Sequence, residues 1–255
     1  MKGRTPRSAP TIFDLMNIVI PMAGRGSRFV QTGLDVPKPL INVRGKPMYS
    51  WAVESLPLSL AHRVIFICLE EHLQKQDLEN DIRSRYAHQN PVILSLNQVT
   101  EGQACTVLEA RDLIDNDEPL LIYNADTYCR TSLGKTLDRM NGDIAGLIGV
   151  FQAPGDKWSF ARLDESDRII ETAEKRRISE WATTGLYYFR RGSDFVRYAD
   201  EMIAENDRVN GEFYVAPVYN RMIVAGAHIK GDKAEAVWVL GTPEDLAHFE
   251  ETYPR

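Results

Sequence analysis

The chain contains 255 residues and carries 30 Lys and Arg against 36 Asp and Glu, which gives a formal net charge of −6. Apolar residues make up 44% of the sequence and charged residues 26%, as in ordinary globular proteins. This length is sufficient for a hydrophobic core without disulfide bonds. The negative charge argues against a protein that binds nucleic acid through bulk positive charge, although a few well-placed cations are enough for a nucleotide pocket.

The first 15 residues differ in composition from the rest of the chain. They contain three basic residues and two prolines, and no apolar segment follows these charges as it would in an export signal. We therefore predict that residues 1–15 form a disordered leader or the remnant of an expression tag. Residues 16–255 are predicted to form one folded domain.

From Asn17 onward, apolar runs alternate with polar stretches of helical character. Residues 17–22, 63–69, 91–96 and 119–123 are predicted to be strands, whereas the stretch from residue 70 to Tyr86 and residues 103–113 are predicted to be helical. Continuous apolar strands separated by helices are typical of a parallel sheet covered on both faces. Ligands of such sheets bind beyond the carboxyl ends of the strands, where the loops 23–28 and 124–126 are expected.

The pattern changes after about residue 143. Residues 143–151, 160–163, 169–172 and 184–189 are predicted to be strands with short connections, which favours an antiparallel or mixed extension of the sheet. Helices are predicted at residues 193–204 and 213–224. A last strand at residues 236–240 precedes a helix with Thr242 as its N-cap and Pro243 in its first turn. The expected fold is therefore α/β, with a Rossmann-like, mixed but mainly parallel sheet flanked by helices.

The strongest motif lies in the loop after the first strand. It reads Met22-Ala23-Gly24-Arg25-Gly26-Ser27-Arg28-Phe29 and is followed by Pro37-Lys38-Pro39-Leu40. The two glycines let the backbone approach a ligand with N–H groups available for phosphate oxygens, and Arg28 and Lys38 add positive charge. A dinucleotide motif fits poorly because Phe29 stands where its third glycine would be. A P-loop does not fit because no Gly-Lys-Ser/Thr follows.

This motif resembles that of the nucleotidyltransferases that activate sugar 1-phosphates, together with related cytidylyltransferases. Their signature is a strand, then G-x-G-[ST]-R-[FL], then a nearby P-K. The similarity continues through Gln98, Glu101-Gly102-Gln103-Ala104, Asp126, Glu174-Lys175, Gly185, Gly211-Glu212-Phe213-Tyr214 and residues 238–246. The resemblance implies the nucleotide-diphospho-sugar transferase fold, in which residues 16–142 would bind the nucleoside triphosphate (NTP) and residues 143–255 the acceptor.

The resemblance also implies a reaction and a role for each matching residue. The enzyme would transfer a nucleoside monophosphate from an NTP to a sugar 1-phosphate or a related small phosphate, with release of pyrophosphate and with Mg²⁺ as cofactor. The implied catalytic residues are Arg28, Lys38 and Asp126, of which Asp126 binds Mg²⁺. The implied nucleotide-binding residues are Ala23, Gly24, Gly26, Ser27, Gln98, Gly102 and Gln103. The implied acceptor-binding residues are Glu174, Lys175, Gly185 and Glu212.

The sequence departs from the family pattern at the metal site. Many members have a second metal-binding Asp shortly before the terminal Gly-Thr, whereas residues 237–241 contain no acid. Mg²⁺ would then be held by Asp126 with phosphates and waters, or by a further acid, for which Glu212 and Asp232 are candidates. Trp158 and Trp181 are interpreted as core or rim aromatics, although together in the acceptor pocket they could bind a choline-like cation.

Two other functions remain open at this point. A glycosyltransferase of the same fold typically has Asp-x-Asp where this chain has Asn124-Ala125-Asp126, and a regulatory subunit would bind nucleotide without turnover. The expected partners are an NTP and a phosphorylated small molecule, with no nucleic acid and no membrane, and a homodimer is compatible with the sequence. We expect a cytoplasmic enzyme of NDP-sugar and polysaccharide biosynthesis, with the base and the acceptor left open.

Overall fold

The computed structural model describes residues 15–26, 29, 33, 36–75, 77–140 and 142–254. The leader predicted at residues 1–15 therefore lies outside the described residues except for Leu15, and so do Ser27 and Arg28 of the glycine motif. The strands are β1 (Met16–Met22), β2 (Asn42–Val43), β3 (Lys46–Pro47), β4 (Ala61–Leu69), β5 (Pro91–Leu96), β6 (Leu120–Tyr123), β7 (Thr127–Arg130), β8 (Ile144–Gln152), β9 (Ser159–Leu163), β10 (Ile169–Glu174), β11 (Trp181–Phe189), β12 (His228–Lys233) and β13 (Ala236–Val239).

The helices connect these strands and cover the sheet. They are α1 (Met48–Val53), α2 (Glu70–Lys75), α3 (Leu78–Arg85), α4 (Gln103–Leu108), α5 (Arg111–Ile114), α6 (Leu133–Arg139), α7 (Gly192–Ala204), α8 (Val218–Val224) and α9 (Pro243–Thr252). Short 3-10 turns occur at Lys38–Leu40, Leu58–Leu60 and Ala87–Gln89.

Nine of the described strands form one mixed sheet. Its order is β10-β9-β11-β6-β1-β4-β5, and β8 pairs with both β11 and β12. The strands β6, β1, β4 and β5 are parallel neighbours, whereas β11 pairs antiparallel with both β6 and β8. The predicted α/β class is confirmed, and so is the predicted change of pairing in the second half of the chain.

The centre of the sheet is buried on both faces. Alternate side chains of β1 point in opposite directions, so that Ile18 and Ile20 pack into one hydrophobic core and Val19 packs into the other. The first core is completed by α1 and α3, and the second by α4, α7 and α8. Because β1 and β6 are parallel neighbours, the loops at their carboxyl ends lie side by side.

Two predicted helices are shorter than their apolar patterns indicated. The helix predicted at residues 103–113 is divided into α4 and α5 by a tight turn, in which Ala110 N–H donates to the carbonyl oxygen of Val107. The helix predicted at residues 213–224 begins only at Val218. Its first residues are engaged elsewhere, because Phe213 N–H donates to the carbonyl oxygen of Glu101 and Phe213 accepts from Ala104 N–H.

A second, two-stranded sheet formed by β7 and β13 lies beside the main sheet. It packs against an aromatic cluster contributed by α1, β7, β13 and α9, whose members are Trp51, Tyr128, Trp238, Phe249 and Tyr253. The helix α9 begins as predicted, since the Thr242 side chain accepts a hydrogen bond from Asp245 N–H. This packing fixes the amino end of α9 near the end of β6.

The three cysteines of the chain are free thiols in the structure. Cys68 and Cys129 are buried free thiols, and Cys105 is a half-buried free thiol. None of the helices in the described part of the chain has the length and apolarity needed to cross a membrane.

Candidate active site

A cleft of about 630 Å³ opens at the carboxyl ends of β1 and β6. The glycine loop after β1 lines one side, and the loop after β6 contributes Asp126. Strands β8 to β11 supply the opposite wall, with Phe151, Ser159, Glu174 and Thr183 among the lining side chains. The cleft therefore lies where ligands bind in open α/β sheets, and both halves of the chain contribute to it.

Most of the predicted site residues meet in this cleft. It is lined by Ala23, Gly24, Gly26, Lys38, Gly102, Gln103, Asp126, Glu174, Gly185 and Glu212. Two described residues are placed differently, because Gln98 is exposed after the outer strand β5 and Lys175 lines a neighbouring cavity. Ser27 and Arg28 lie outside the described residues. The roles given to these side chains stay predictions.

Lys38 and Asp126 form an ion pair inside the cleft. The Nζ atom of Lys38 lies 2.5 Å from Oδ2 of Asp126, although the two residues are 88 positions apart in the sequence. Their side chains are 22% and 27% exposed, so each is accessible to a ligand but sheltered from bulk solvent. The pair joins the beginning of a 3-10 turn to the end of β6, which brings the two chemically distinctive loops together.

Gly26 is required for this contact. Its φ of +62° favours glycine, and a Cβ atom at this position would lie 2.6 Å from the Cβ atom of Lys38. A larger residue would therefore displace Lys38 from the cleft. The second glycine of the motif consequently positions a cation in addition to freeing backbone N–H groups.

Asn124 connects two sides of the cleft, one formed by α4 and the other by β11. Its Oδ1 atom accepts a hydrogen bond of 2.6 Å from Nε2 of Gln103, and its backbone N–H donates to the carbonyl oxygen of Gly185. Gly185 has a φ of +81°, and a Cβ atom there would lie 2.4 Å from Asn124 Nδ2. Asn124, to which no role was given from the sequence, therefore contacts both Gln103, through its side chain, and Gly185, through its backbone.

Glu174 is a buried carboxylic acid on the wall of the cleft that β8 to β11 form. It is 8% exposed and accepts a hydrogen bond from the Ser159 hydroxyl. Burial raises the pKa of Glu174 above that of an ordinary glutamate, although the Ser159 hydrogen bond and the charge of Lys175 act in the opposite direction. A buried hydrogen-bonding group of this kind is suited to bind a hydroxyl group of a ligand.

Lys175 contacts the cleft through Tyr214. Its ammonium group donates to the Tyr214 hydroxyl and lies 4.7 Å from the centre of that ring. Tyr214 lines the cleft beside Glu212, and burial together with its hydrogen bond to Glu212 raises the pKa of Tyr214. The predicted Glu174-Lys175 pair is therefore divided, with Glu174 facing the cleft and Lys175 held behind Tyr214.

The cleft also contains charged residues that the sequence analysis did not assign to the site. They are Arg25, Lys157 and Asp245. Asp245 could have been noticed because it lies three residues after the helix cap Thr242, whereas no motif marks Lys157. Trp158 lines the cleft, but the part of the cleft wall that the structure describes does not include Trp181, whose ring is covered by Lys233 at 4.8 Å. The two tryptophans therefore form no common cation cage.

Mg²⁺ usually binds one or two carboxylates together with substrate phosphates, and the cleft fits this pattern. Within the described residues, no three His, Cys, Asp or Glu side chains converge on one metal position. A Cβ atom on Gly241 would lie 3.4 Å from Asp126 Oδ2 and 3.6 Å from Asp245 Oδ2, so this glycine leaves space beside two carboxylates. The ammonium group of Lys38 already shows that Asp126 attracts a cation.

The two acids considered from sequence are placed less favourably for a metal. Asp232 accepts hydrogen bonds from Thr131 and Thr136, which occupy both of its oxygens in a structural role. Glu212 lines the cleft near Tyr214 on the acceptor side. Asp245 is therefore the described acid best placed to assist Asp126.

The chain matches the family model described as nucleotidyl transferase over residues 18–253. The chain belongs to the nucleotidyl transferase family. This confirms the resemblance drawn from the glycine motif and the predicted reaction class, in which a nucleoside monophosphate moves from an NTP to a phosphorylated acceptor and pyrophosphate is released.

The similarity to relatives in the nucleotidyl transferase family covers most of this chain, but a varying share of each relative. A UTP–glucose-1-phosphate uridylyltransferase of Haloferax volcanii is 24% identical over 92% of this chain and 96% of its own length. The bifunctional protein GlmU of Methanococcus aeolicus is 22% identical over 91% of this chain, which spans about half (53%) of that protein. The solved structure of a nucleoside-diphosphate-sugar pyrophosphorylase from Vibrio cholerae is 28% identical, with a TM-score of 0.77 over 92% of this chain and 100% of that one.

Proposed function

We propose that this protein transfers a nucleoside monophosphate from an NTP to a sugar 1-phosphate and releases pyrophosphate. We also propose that it requires Mg²⁺ bound at Asp126. The observation that carries the proposal is the contact of Lys38 with Asp126, in a cleft that also contains the glycine loop and the buried Glu174. The relatives act on glucose 1-phosphate or make nucleoside-diphosphate sugars according to their names, which supports a sugar phosphate as the acceptor.

The NTP would bind along the glycine loop. Backbone N–H groups of Gly24 to Gly26 can donate to phosphate oxygens, and Lys38 can balance charge at the α-phosphate. The amide of Gln103 is fixed by its hydrogen bond to Asn124. A fixed amide can read the edge of a base by donating and accepting hydrogen bonds.

The acceptor would bind against the wall formed by β8 to β11. Glu174 and Glu212 can accept hydrogen bonds from sugar hydroxyl groups, and the backbone of Gly185 faces the same space. Lys175 was predicted from the resemblance to bind the acceptor phosphate. In this arrangement it reaches the cleft only through Tyr214.

The reaction needs positioning more than acid–base chemistry. An oxygen of the acceptor phosphate attacks the α-phosphorus, the bond from that phosphorus to the β-phosphate oxygen breaks, and pyrophosphate leaves with the bonding electrons. The attacking phosphate is already an anion, so no general base is required. The protein's part is to hold two polyanions together and to offset their charge, and bound Mg²⁺ supplies further neutralisation at the phosphate oxygens.

A screen for pyrophosphate release tests the proposal. Each common NTP is supplied with Mg²⁺ and a panel of sugar 1-phosphates, and pyrophosphate and the nucleoside-diphosphate sugar are both measured. Lys38→Met is expected to lower kcat by about 100-fold or more, because it removes the positive charge that would lie beside the reacting phosphates. Lys46→Met is the matched control, since Lys46 is equally buried and paired with Glu54 but lies outside the described wall of the cleft.

Two outcomes of this screen would contradict the proposal. Transfer of sugar from a nucleotide sugar without pyrophosphate would indicate a glycosyltransferase. Nucleotide binding without any product across the whole panel would indicate a regulatory subunit.

A further inference from the structure

The acceptor wall of the cleft carries a lysine on the connection between β8 and β9. The Nζ atom of Lys157 lies 4.6 Å from the centre of the Trp158 ring and 3.5 Å from Oδ1 of Asp245. The Lys157 side chain is 51% exposed, whereas that of Asp245 is 17% exposed. Lys157 therefore extends from the acceptor half of the chain across the cleft toward the first turn of α9.

The other cations of the site have different positions. Lys38 is paired with Asp126, and Arg25 belongs to the glycine loop. Lys175 lines the neighbouring cavity and donates to the Tyr214 hydroxyl. Among the described residues that line the cleft, Lys157 is consequently the cation that the acceptor half provides.

We propose that Lys157 binds the phosphate group of the acceptor, and this proposal rests on the proposed function. The acceptor phosphate must lie beside the α-phosphate of the NTP, so a second cation is needed on the acceptor side to offset the repulsion. Lys157 is suited to this role because its ammonium group is only weakly engaged by other residues of the protein. Its contact with Asp245 is at the long limit of a hydrogen bond, and its half-exposed ammonium group is accessible to an arriving phosphate.

Trp158 and Asp245 act as positioning residues in this arrangement. The ring of Trp158 holds the ammonium group over the cleft by cation–π attraction while the acceptor is absent. Asp245 provides a partner that a phosphate dianion displaces. The phosphate then takes the place of Asp245 beside Lys157, and the Asp245 carboxylate is left facing the space beside Gly241.

The kinetic test compares variants of three lysines. Their KM values are measured for the acceptor that the pyrophosphate screen identifies. Lys157→Met is expected to raise the acceptor KM by about tenfold or more, which is the loss of one charge-assisted hydrogen bond, while the NTP KM changes less than twofold. Lys233→Met is the matched control, because Lys233 also lies over a tryptophan and beside an aspartate but away from the cleft. A larger rise in acceptor KM from Lys175→Met than from Lys157→Met would overturn the proposal.

Two further variants separate phosphate binding from a purely structural role. Lys157→Arg retains the charge and is expected to keep the acceptor KM within about threefold of the original value, since arginine also binds phosphate. Lys157→Gln removes the charge but retains an N–H donor for Asp245, and it is expected to raise the acceptor KM about as much as Lys157→Met does. If Lys157→Gln keeps the original acceptor KM, Lys157 only ties its loop to α9 and the proposal fails.

A binding measurement distinguishes failure of this proposal from failure of the proposed function. The melting temperature is measured while inorganic phosphate is titrated into the original protein, Lys157→Met and Lys233→Met. Phosphate is expected to stabilise the first and third proteins, and Lys157→Met is expected to need about tenfold more phosphate for the same shift. Equal phosphate dependence in all three proteins, or no phosphate dependence, overturns the role of Lys157. Absence of pyrophosphate release in the original protein overturns the proposed function instead.

Discussion

At the level of single residues, Glu174 combines a stability cost with the acceptor-binding role that we propose for it. Its carboxyl group is buried, and burial raises its pKa relative to the ordinary value of 4.5. A pKa that is higher in the folded state means that the protonated form is favoured by folding. Ionisation of Glu174 therefore opposes folding at neutral pH, whereas a carboxylate is the better acceptor for sugar hydroxyl groups.

Glu174→Gln is expected to stabilise the fold and weaken acceptor binding. Below pH 4.5 the carboxyl group is protonated in both states, so the variant should melt as the original protein does. The cost of ionisation grows as the pH rises above 4.5 and is complete above the folded-state pKa. At pH 7 the variant should therefore melt about 2–4 °C higher for each 1 kcal/mol relieved, as measured by differential scanning calorimetry. Glu171→Gln on the same strand is the control, and a lower melting temperature for Glu174→Gln at pH 7 would contradict the expectation.

The sequence predicted some site residues better than others for a physical reason. Lys38 and Asp126 follow apolar strands within recognisable motifs, and parallel strands bring such loops together. Lys157 carries no such mark, because its position in the cleft depends on contacts between distant elements, whereas the helix cap at Thr242 marks the turn that contains Asp245. The side chain of Gln98 is exposed and the neighbouring residues Val99 and Thr100 line the cleft, so its predicted contact with the base stays a prediction.

At the level of elements, the first turn of α9 brings two acids to different environments. Thr242 caps the helix, Glu244 then faces solvent and Asp245 faces the cleft. The space beside Gly241 lies between the Asp245 and Asp126 carboxylates. This turn therefore provides an acid near the metal position that we propose at Asp126, although residues 237–241 contain none.

Asp245→Asn is expected to weaken metal binding by about tenfold, the usual effect of removing a group that supports a metal ligand. The measurement is a titration with Mn²⁺ in place of Mg²⁺, followed by the electron paramagnetic resonance signal of free Mn²⁺ in the presence of bound NTP. Glu244→Gln removes the same charge from the same helical turn and should leave the Mn²⁺ affinity unchanged. Equal losses in the two variants would indicate a general charge effect of the helix end.

The secondary structure predicted from sequence was wrong where backbone groups that are distant in sequence form the hydrogen bonds. The segment around Phe213 has a helical pattern, but its backbone groups pair with residues 101–104. The strand β12 was not predicted because His228–Lys233 contains a single aliphatic residue, Ile229, and therefore shows neither an apolar run nor an alternating pattern. Its pairing with β8 buries Ile229 and Gly231, which a pattern within one segment does not reveal.

At the level of the whole molecule, the two proposed halves of the chain share one sheet. The strand β11 from the second half pairs with β6 from the first half, and the core that covers one face contains residues of both halves, such as Val19 and Phe189. The boundary predicted near residue 142 stays a prediction about which half of the chain binds the NTP and which binds the acceptor. It does not divide the hydrophobic core.

The chain is therefore expected to unfold in one cooperative transition. Far-ultraviolet circular dichroism and tryptophan fluorescence should give the same midpoint in urea, and the calorimetric and van't Hoff enthalpies should agree. Measurements at two protein concentrations control for self-association. Two separate transitions, one of them insensitive to added NTP, would mean that the halves fold independently.

The pairing of Lys38 with Asp126 has a consequence for selectivity between metal-free and metal-bound nucleotides. A nucleotide that arrives without a metal must take Lys38 away from Asp126 and leaves a bare carboxylate facing its own phosphates. A nucleotide that carries a divalent ion exchanges partners instead, since each anion in the cleft then regains a counterion. Under the proposed function, the resting protein is in this way expected to be biased against the uncomplexed triphosphate before any acceptor has entered.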